Sequence, residues 1–430
     1  MAERYLRPTD PAELALSWLR GLSALEPRLS AGLDARRLEL QLDGQPLAAR
    51  PRPTSPAGAA TEAARLAREA IAASPALQRA RAEALLSAGF DEMFLPLDAF
   101  SRYVPPVEAA AARAERVGQA GLGLRLGPAR RGGVAVTLLQ PGSPAAEAGV
   151  LVGDEVLAID GVPVSATDLA LAALLLDGPE GTEAVLRLRR AGRVVTARIP
   201  RRPLADASLS VEAQPGGVLL LRVAGFPTGM ATRIQAALAG SRAPGVILDL
   251  RGNRGGVLAE ALAVADLFLA SGRIASAVGR HRDAGRSWEA APPDELGGRP
   301  VVVLVDGRTA SAAEVLAAAL ADQGRGAVVG STTRGKGLIQ IVVPLPGDAE
   351  LHLSWAELLT PDGRRIEGAG VAPALCTSLG EQAAVHGLAA LGGPPAPAAP
   401  CPPAEGRPWD ERFARALLAD QAAYRAALGR

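Results

Sequence analysis

One serine and one lysine carry the chemistry that this chain could perform. Lys336 is the only lysine in 430 residues, and arginine supplies every other strongly basic side chain. An arginine stays protonated up to about pH 12, whereas burial can lower the pKa of a lysine until it acts as a base. Ser311 lies twenty-five residues upstream of Lys336, downstream of an apolar run. The pair predicts acyl transfer, and the alternative is a surface lysine that survives by chance.

The setting of Ser311 favours a nucleophile. It follows an apolar strand and precedes the helical run 314–321, which would place helix amides beside the hydroxyl. The three histidines, His281, His352 and His386, lie outside any motif, so the sequence does not indicate a histidine-based triad. We therefore expect Lys336 to take the proton from Ser311 and later to deliver it to the leaving amine.

Backbone amides could stabilise the negative charge of such a reaction. The Gly255-Gly256 turn and the N–H of Ala312 are predicted to form an oxyanion hole, because backbone without bulky side chains can approach a tetrahedral intermediate closely. Non-catalytic roles are the alternative: Ser311 could be a helix cap, and Gly255 and Gly256 could form an ordinary turn.

Three carboxylates near these residues are interpreted as structural. Glu314 lies in the first turn of the predicted helix, where it favours the helix dipole. Asp249 ends a strand and would hold a loop, and Asp306 is expected in a turn.

The elements that would position these residues fall into four regions. Residues 1–117 are predicted to be a helical N-terminal region, broken at the Pro-rich segment 50–56. Residues 118–203 carry short apolar runs cut by Gly and Pro, typical of a small β domain with about two helices. Residues 204–380 alternate buried strands with helices, which predicts an α/β core. Residues 381–430 form a Pro/Ala-rich linker and an amphipathic helix over 410–428. The strands expected in the core include 218–223, 246–250 and 301–305.

Composition argues against several classes of partner. The chain has 46 basic and 45 acidic residues, and its net charge of +1 gives no electrostatic case for nucleic acid or an anionic membrane surface. No apolar run reaches the length of about 18 residues that spans a bilayer. A hydrophobic content of 48% supports sizeable cores. Partners must therefore be inferred from the sites.

The β domain carries a recognisable constellation. The runs PGSPAAEAGV at 141–150 and GDEVLAIDG at 153–161 resemble the short helix, turn and strand of a bacterial PDZ domain. The upstream run Gly121, Leu122, Gly123 and Leu124 resembles the PDZ carboxylate-binding loop, whose N–H groups can turn toward one anion and whose next strand accepts an extended peptide. The helix after Ser165, with Asp168 three residues on as a capping box, would line a groove with Leu169, Ala172 and Ala173, although each could also be core.

The α/β core resembles the carboxyl-terminal processing, or tail-specific, serine protease family over nearly its full length. Three motifs occur in order: LDLRGNRGG at 248–256, GRTASAAE at 307–314 and GKGLIQ at 335–340. A fourth, TPDGRRI at 360–366 with GVAP at 370–373, follows where the family has its C-terminal strand segment. The run LDAFSRYV at 97–104 resembles the part that precedes the PDZ domain in the family. The order and spacing of the motifs make the match specific.

This resemblance implies a fold and a mechanism. The expected fold is α/β, a layered, crotonase-like ββα protease core with an inserted β-rich PDZ domain and helical N- and C-terminal regions. The expected activity is that of a serine endopeptidase with a Ser311/Lys336 dyad, in which the side-chain oxygen of Gln340 holds the lysine amine. No metal and no organic cofactor is expected. The substrates would be proteins or peptides with a free C-terminus, captured or sensed by the PDZ domain.

Two positions depart from the family pattern. Arg334 stands where the family has an aromatic residue two positions before the lysine, and Ala374 replaces an aspartate. An aromatic residue would help to desolvate Lys336, whereas Arg334 would lower the lysine pKa by charge repulsion. One alternative is therefore a catalytically impaired pseudoprotease that binds or scaffolds peptides. A crotonase-like enzyme acting on a thioester shares the layered architecture, but the PDZ insertion and the Ser/Lys pair disfavour it.

Location and assembly are further expectations. The family works mostly in the periplasm or outside the cell, so we expect a periplasmic or secreted protein whose signal segment is absent from this chain. Cys376 and Cys401 could pair in an oxidising compartment or remain thiols. Leu and Ala stripes in residues 1–117 and in the C-terminal helix predict a homo-oligomer, most simply a two-fold dimer. An adaptor protein is a further candidate partner.

Overall fold

The computed structural model describes residues 3–117, 120–129, 133–140, 142–166, 169–176, 181–203, 208–391 and 400–429. The chain divides into two units, and each combines distant parts of the sequence. Unit 1 contains Met1–Ala109, Ala277–Arg286 and Leu338–Glu357. Unit 2 contains Ala110–Ser276, Ser287–Gly337 and Leu358–Arg430. Most of the predicted core lies in unit 2, together with the PDZ-like segment.

The N-terminal part of unit 1 combines helices with a small sheet. Prolines in the first turn and side-chain caps by Asp10, Ser55 and Ser74 define where α1, α2 and α3 begin. The elements are α1 (Pro11–Gly21), β1 (Leu29–Leu33), β2 (Arg37–Leu42), β3 (Gln45–Pro51), α2 (Pro56–Ala73), α3 (Pro75–Arg79), α4 (Ala82–Phe94) and β4 (Arg102–Val104). Helix α5 (Pro106–Val117) leads from unit 1 into unit 2.

The prediction of helices throughout residues 1–117 is wrong for residues 29–51. These form an antiparallel sheet in the order β1-β2-β3. Leu38 and Leu40 are fully buried and alternate with polar residues, which is the period of a strand and not of a helix. Asp43 and Gly44 form the hairpin turn with φ angles of 53° and 72°. An Asp-Gly pair between alternating residues is a hairpin signal, and the helical interpretation missed it.

The PDZ-like segment, residues 120–203, forms a sheet in the order β11-β10-β8-β7-β6, with β9 paired to β8. Apolar side chains that alternate along its strands, such as Val136, Ile159 and Leu186, form its core. The elements are β5 (Ala120–Gly121), β6 (Leu124–Pro128), β7 (Val134–Leu139), α6 (Pro144–Glu147), β8 (Glu155–Ile159), β9 (Val162–Pro163), α7 (Leu169–Leu176), β10 (Glu183–Arg190), β11 (Arg193–Pro200) and β12 (Arg202–Pro203).

The remaining elements complete unit 2 and return to unit 1. The main sheet of unit 2 has the order β13-β14-β15-β18-β19-β22, antiparallel between β13 and β14 and parallel elsewhere. The elements are β13 (Leu209–Ala213), β14 (Leu219–Val223), α8 (Met230–Leu238), β15 (Val246–Asp249), α9 (Leu258–Phe268), β16 (Arg273–Val278), β17 (Arg286–Glu289), β18 (Val301–Val305), α10 (Ala312–Asp322), β19 (Ala327–Gly330), β20 (Leu338–Pro344), β21 (Glu350–Leu359), β22 (Leu375–Cys376), α11 (Glu381–Ala390), α12 (Asp410–Ala419) and α13 (Gln421–Ala427).

Continuous apolar strands build the main sheet. All residues of β15, β18 and β19 are buried. Such strands are typical of a parallel sheet that helices cover on both faces. Helices α8, α9 and α10 pack side by side, and α12 and α13 pack on the sheet through Phe413, Leu417 and Tyr424. The predicted α/β layer is confirmed.

The predicted C-terminal helix is two helices. Asp420 interrupts the helix with extended backbone, and its side chain caps α13 by accepting from the N–H groups of Ala422 and Ala423. The apolar residues of α12 and α13 are buried in the core of unit 2. The C-terminal stripe is therefore intramolecular, and it no longer supports a subunit interface.

Strands β20 and β21 bring residues 338–357 into unit 1. Strand β21 pairs antiparallel with β20 and with β4. A β-bulge interrupts the register between Ile339 and Gln340. Bulges re-aim side chains and are frequent beside active sites.

Candidate active site

Three predicted motifs follow three neighbouring parallel strands of unit 2. Strands β15, β18 and β19 lie side by side, and their parallel pairing puts their carboxyl ends at one edge of the sheet. Loop 250–256 leaves β15, loop 306–311 leaves β18, and loop 331–337 leaves β19. Ligand sites of open α/β sheets lie outside the carboxyl ends of the strands. The topology thus brings the three motifs to the edge where a site is expected.

Ser311 occupies a strained turn between β18 and α10. Its φ of 59° and ψ of −122° are angles that residues other than glycine rarely adopt. Helix α10 begins at the next residue, and Ser311 is partly exposed. Nucleophilic serines of α/β-hydrolases use a sharp strand-to-helix turn of this kind to present the hydroxyl. The backbone strain is therefore consistent with a nucleophile.

The Glu314 side chain joins this turn to loop 331–337, which carries Lys336 and is called the lysine loop below. It is fully buried, and its Oε2 accepts hydrogen bonds from the backbone N–H groups of Ser311 and Lys336, each at 2.8 Å. Its Oε1 accepts from the N–H of Gly335 at 2.6 Å and from the hydroxyl of Thr333. Because both backbone nitrogens lie 2.8 Å from the same oxygen atom, the distance between the nitrogens of Ser311 and Lys336 is at most twice 2.8 Å. The structure brings the predicted nucleophile and base together.

Glycines on both sides of Lys336 let its backbone lie against another loop. The C=O of Gly335 accepts from the N–H of Gly368 at 2.9 Å, and the N–H of Gly337 donates to Glu367 Oε2 at 2.7 Å. A Cβ on Gly337 would lie 2.3 Å from the Glu367 nitrogen, too close for any side chain. Packing therefore requires the second glycine, and the contacts fix the backbone of a lysine that is itself half-buried.

Gly255 touches the Ser311 turn. A Cβ added to Gly255 would lie 2.9 Å from the Ser311 Cβ and 3.0 Å from the Ala312 nitrogen. Its φ of 99° is a second reason for glycine at this position. The Gly255 N–H already donates to the side-chain oxygen of Asn253 at 2.8 Å. Of the three predicted oxyanion residues, Gly256 and Ala312 therefore remain as the candidate N–H donors.

A buried asparagine shapes the glycine turn. Asn253 has no exposed surface, and its side-chain NH₂ group donates to the C=O of Val223 at 2.8 Å. Its own C=O accepts from the N–H of Ala310 at 2.9 Å. The C=O of Gly255 accepts from Phe226 at 3.0 Å. Asn253 thus ties the glycine turn both to β14 and to the residue before the nucleophile.

Asp306 connects loop 306–311, called the nucleophile loop below because it carries Ser311, to two other segments of unit 2. It is fully buried, and its Oδ1 accepts from the N–H groups of Gly252, Arg308 and Thr309 at 2.9 to 3.0 Å. Its Oδ2 accepts from the N–H of Gly406 at 3.2 Å. Asp306 is more than the turn residue that the sequence predicts, because its carboxylate binds three separate segments.

Residues 400–409, which we call the C-terminal strap, cross the nucleophile and lysine loops. The C=O of Ala404 accepts from the N–H of Gly307 at 2.7 Å and from the Ser331 hydroxyl at 2.9 Å. The Thr332 hydroxyl donates to the C=O of Cys401 at 2.6 Å. A disulfide joins Cys401 to Cys376 in β22, so the open question of these cysteines is answered by a bond. The strap is anchored at its start and holds both loops.

The third predicted catalytic residue lies in unit 1. Gln340 is half-buried on β20, beside the bulge, and its side-chain NH₂ group donates to the C=O of Phe100. Arg334, the main departure from the family pattern, is exposed, and its N–H donates to the C=O of Thr309 at 3.0 Å. That backbone bond adds a further link between the lysine and nucleophile loops.

Asp249 is the buried member of a partly exposed ionic group. Its carboxylate accepts from Arg251 at 2.6 Å and from Arg222 at 3.2 Å, and Glu411 of α12 accepts from the same two arginines. Burial alone would lower the pKa of Arg251, but the hydrogen bonds and charges of Asp249 and Glu411 raise it well above its usual value. Asp249 therefore holds a loop, as predicted, and also fastens α12.

The predicted peptide site of the PDZ-like segment is partly core. Leu122 is only 2% exposed and packs inside the segment, while Gly121 lies in β5 and Leu124 begins β6. Gly123 has a φ of 75°, which a turning loop requires. Strand β6 is at the edge of the described sheet, with α7 beside it. Ala172 is buried core, and Asp168 and the side chain of Ala173 lie outside the described residues.

Sequence reasoning missed the groups that hold the site together. It assigned Glu314 to the helix dipole alone, whereas the structure has it accepting from two loops. The Ser-x-x-Glu spacing from Ser311 is a capping-box signal that could have revealed the first of these contacts. Nothing in the local sequence indicates the second. Among the residues that the structure describes, there is no cluster suited to a metal ion and no helix able to cross a membrane.

The chain is similar to known peptidases in two of its regions. Residues 217–375 match peptidase family S41, and residues 135–190 match the PDZ domain. The carboxy-terminal-processing protease of Bartonella bacilliformis is 33% identical over 301 residues, which cover 67% of this chain and 68% of that protein. The carboxyl-terminal-processing protease of Synechocystis is 32% identical over 298 residues, covering 66% and 69%.

Among solved structures, the photosystem II D1 C-terminal processing protease is 26% identical to this chain, with a TM-score of 0.44 and coverage of 85% and 92%. The fold and these family matches define a PDZ-containing serine-type peptidase. The chain belongs to the carboxyl-terminal processing proteases of peptidase family S41.

Proposed function

We propose that this peptidase cleaves protein substrates near their C-termini, with Ser311 as nucleophile and Lys336 as general base. The supporting observation is the shared Glu314 carboxylate, because one of its oxygen atoms accepts from the backbone N–H groups of both residues. A dyad needs this fixed geometry, since a hydroxyl and an amine on independent loops would seldom meet.

The reaction begins when Ser311 Oγ attacks the scissile carbonyl carbon. The neutral Lys336 amine takes the hydroxyl proton, and the N–H groups of Gly256 and Ala312 stabilise the oxyanion. The C–N bond then breaks as the lysine returns the proton to the leaving amine. A water molecule, deprotonated by the same amine, releases the acyl group and restores Ser311. Gln340 orients the lysine amine through its side-chain oxygen, a role that rests on the family resemblance.

The PDZ domain is proposed to capture or sense the substrate tail. The backbone of residues 121–124 would bind the terminal carboxylate, and β6 would pair with the extended tail, because it lies at the edge of the described sheet. Both relatives are named for carboxyl-terminal processing, which supports tail cleavage here.

An oxidising compartment, the periplasm or the cell exterior, is the proposed location. The disulfide between Cys376 and Cys401 supports it, since such bonds persist mainly in oxidising environments.

A homodimer through the N-terminal helices is also proposed. An apolar groove of about 380 Å³ in unit 1, lined by residues that include Trp18, Leu86 and Phe90, supports this interface.

Hydrolysis of an unfolded protein tests the dyad. Ser311→Ala and Lys336→Arg should each lower the rate by at least about a thousandfold while the circular dichroism spectrum is unchanged, because the pair acts as one unit. Wild-type hydrolysis should rise with pH, since only the unprotonated amine accepts a proton. Near wild-type turnover by Lys336→Arg would exclude a lysine base. A wild-type chain that binds unfolded protein without cleaving it would be the pseudoprotease.

A further inference from the structure

The side-chain amide of Gln340 is held at one end by a turn of unit 1. Its Nε2 donates a hydrogen bond to the C=O of Phe100. A carbonyl oxygen only accepts, so the NH₂ group of the amide must face it, and the amide oxygen is directed elsewhere. The Phe100 carbonyl therefore decides which end of Gln340 is available as an acceptor.

The strands around Gln340 connect it to the same turn. The bulge at Ile339 and Gln340 places Gln340 opposite Ser354 of β21. The Ser354 hydroxyl donates to Asp98 Oδ1 at 3.0 Å, and its N–H donates to the Ser101 hydroxyl at 3.0 Å. The residue facing Gln340 is thus bonded to the turn that supplies Phe100.

Asp98 is the centre of this turn. Its Oδ1 accepts from the N–H groups of Phe100 and Ser101 at 2.8 and 2.9 Å, and its Oδ2 accepts from the Ser101 hydroxyl at 2.6 Å. Burial raises the pKa of Asp98, but the hydrogen bonds from Ser101, Phe100 and Ser354 outweigh it and hold the pKa below its usual value. Burial and the nearby Asp98 charge raise the pKa of Tyr5 to about 12, so the Tyr5 hydroxyl stays a donor to Asp98. The carboxylate remains a charged acceptor for every group around it.

We propose that Asp98 is a positioning residue for catalysis, which fixes the Phe100 carbonyl and, through it, the Gln340 amide with its oxygen free to accept from an amine. This role rests on the proposed function, in which Gln340 orients Lys336. Without the turn the amide can rotate, and a smaller fraction of the enzyme holds its base in the productive orientation. The effect falls on the chemical step and not on substrate binding, so kcat falls while KM stays unchanged.

The test measures kcat and KM of peptide hydrolysis for single and double variants. Asp98→Ala should lower kcat by roughly tenfold to a hundredfold at unchanged KM. Asp98→Asn keeps an oxygen that accepts from the N–H groups of Phe100 and Ser101, and it should recover most of the loss. In a Gln340→Ala background, Asp98→Ala should have no further effect on kcat, because no amide is left to position.

Glu26→Ala is the matched control. Glu26 is also a buried carboxylate of unit 1, but it bonds to Arg28 and Ser74. The Glu26→Ala substitution should lower thermal stability and leave kcat unchanged at temperatures where the chain is folded. If Asp98→Ala does not fold, Ser354→Ala removes one donor to Asp98 and should show a smaller loss of kcat with the same dependence on Gln340.

A wild-type kcat in Asp98→Ala, or an equal loss in the presence and absence of Gln340, would overturn the positioning role while leaving the dyad intact. Ser311→Ala is measured beside these variants. Hydrolysis that survives in Ser311→Ala would overturn the proposed function, and the role of Asp98 with it.

Discussion

The protease core and the PDZ domain are held together by different kinds of interaction. In the core, the site loops are joined by Glu314 and Asp306, two carboxylates without exposed surface. The PDZ domain is organised by an apolar core, and its ion pairs range from surface contacts such as Arg189–Glu155, 46% and 31% exposed, to the buried carboxylate of Asp154. Its strand β6 lies at the edge of the described sheet.

The difference follows from what each part has to do. A nucleophile and its base must be held to within about 0.5 Å, which requires directional hydrogen bonds to fixed backbone groups. An extended peptide is captured by an accessible strand edge, which requires only that the strand itself be stable. Carboxylates that join separate loops therefore mark the catalytic part, and an edge strand of the described sheet marks the recognition part.

The largest effect is expected from removing the carboxylate that joins the two loops. Glu314→Ala should lower kcat by about a hundredfold or more, because Ser311 and Lys336 lose their common acceptor and drift apart. It should also lower stability by about 1–3 kcal/mol, since buried N–H groups are left unpaired. Thermal unfolding and kcat are measured together. Asp294→Ala is the control, because Asp294 also accepts from backbone N–H groups in unit 2 but binds Leu296 and Gly298. Equal kcat losses in both variants would make the role of Glu314 merely structural.

The glycine turn provides a second test of the core. Gly255→Ala places a Cβ against Ser311 and Ala312, and it should lower kcat by about a hundredfold by displacing the oxyanion donors. Gly240→Ala shares the positive φ, at 74°, but its Cβ meets open space. Both variants should lose roughly 1–2 kcal/mol of stability from backbone strain. Only the first should lose activity, and full activity in Gly255→Ala would remove this turn from the site.

The recognition part is tested by changing the substrate and leaving the enzyme intact. Amidation of a peptide's C-terminus should raise KM by about tenfold and leave kcat nearly unchanged, because the loop at residues 121–124 loses the charge that it binds. Hydrolysis of acid and amide forms of one peptide gives both constants. An equal KM for the two forms would leave the PDZ domain as a spacer or a gate.

The smallest effect concerns stability of the PDZ domain against acid. Asp154 is 2% exposed and accepts from Arg190 at 2.7 and 2.6 Å, so Arg190 holds the Asp154 pKa below its usual value. The ion pair therefore stabilises the fold above the unfolded pKa of about 3.9, and the contribution is lost as pH falls through the folded pKa. The Tm difference between wild type and Asp154→Asn should shrink from pH 7 to pH 3. Glu155→Gln, at an exposed pair, should change Tm little at any pH.

Local patterns predicted the parts of the fold that local physics determines. The apolar runs at 246–250 and 301–305 identify β15 and β18, because parallel strands buried on both faces need continuous apolar sequence. The common edge of the three motif loops became visible only in the structure, because it depends on the parallel pairing of β15, β18 and β19. The strands at 29–51 were missed although Asp43-Gly44 signalled a hairpin, since Ala- and Leu-rich neighbours favoured a helical interpretation.

Long-range contacts could not be predicted in the same way. Glu314 binds Lys336 across 22 residues, and Gln340 binds Phe100 across 240 residues. No spacing rule connects such positions, because folding and not sequence proximity brings them together. The pairing of Cys376 with Cys401 stayed open for a related reason, since a disulfide depends on the approach of two backbones as well as on the compartment.

The C-terminal strap also sets an order of events during synthesis. Ser331 precedes its partner Ala404 by 73 residues, and Asp306 precedes Gly406 by 100 residues. A ribosome or a secretion channel delivers a chain from its N-terminus, so both site loops emerge well before the segment that holds them. A growing copy therefore carries Ser311 and Lys336 before the strap can bind across their loops. The contacts between the strap and both loops form only after it arrives, so this arrangement of the loops belongs to the finished chain.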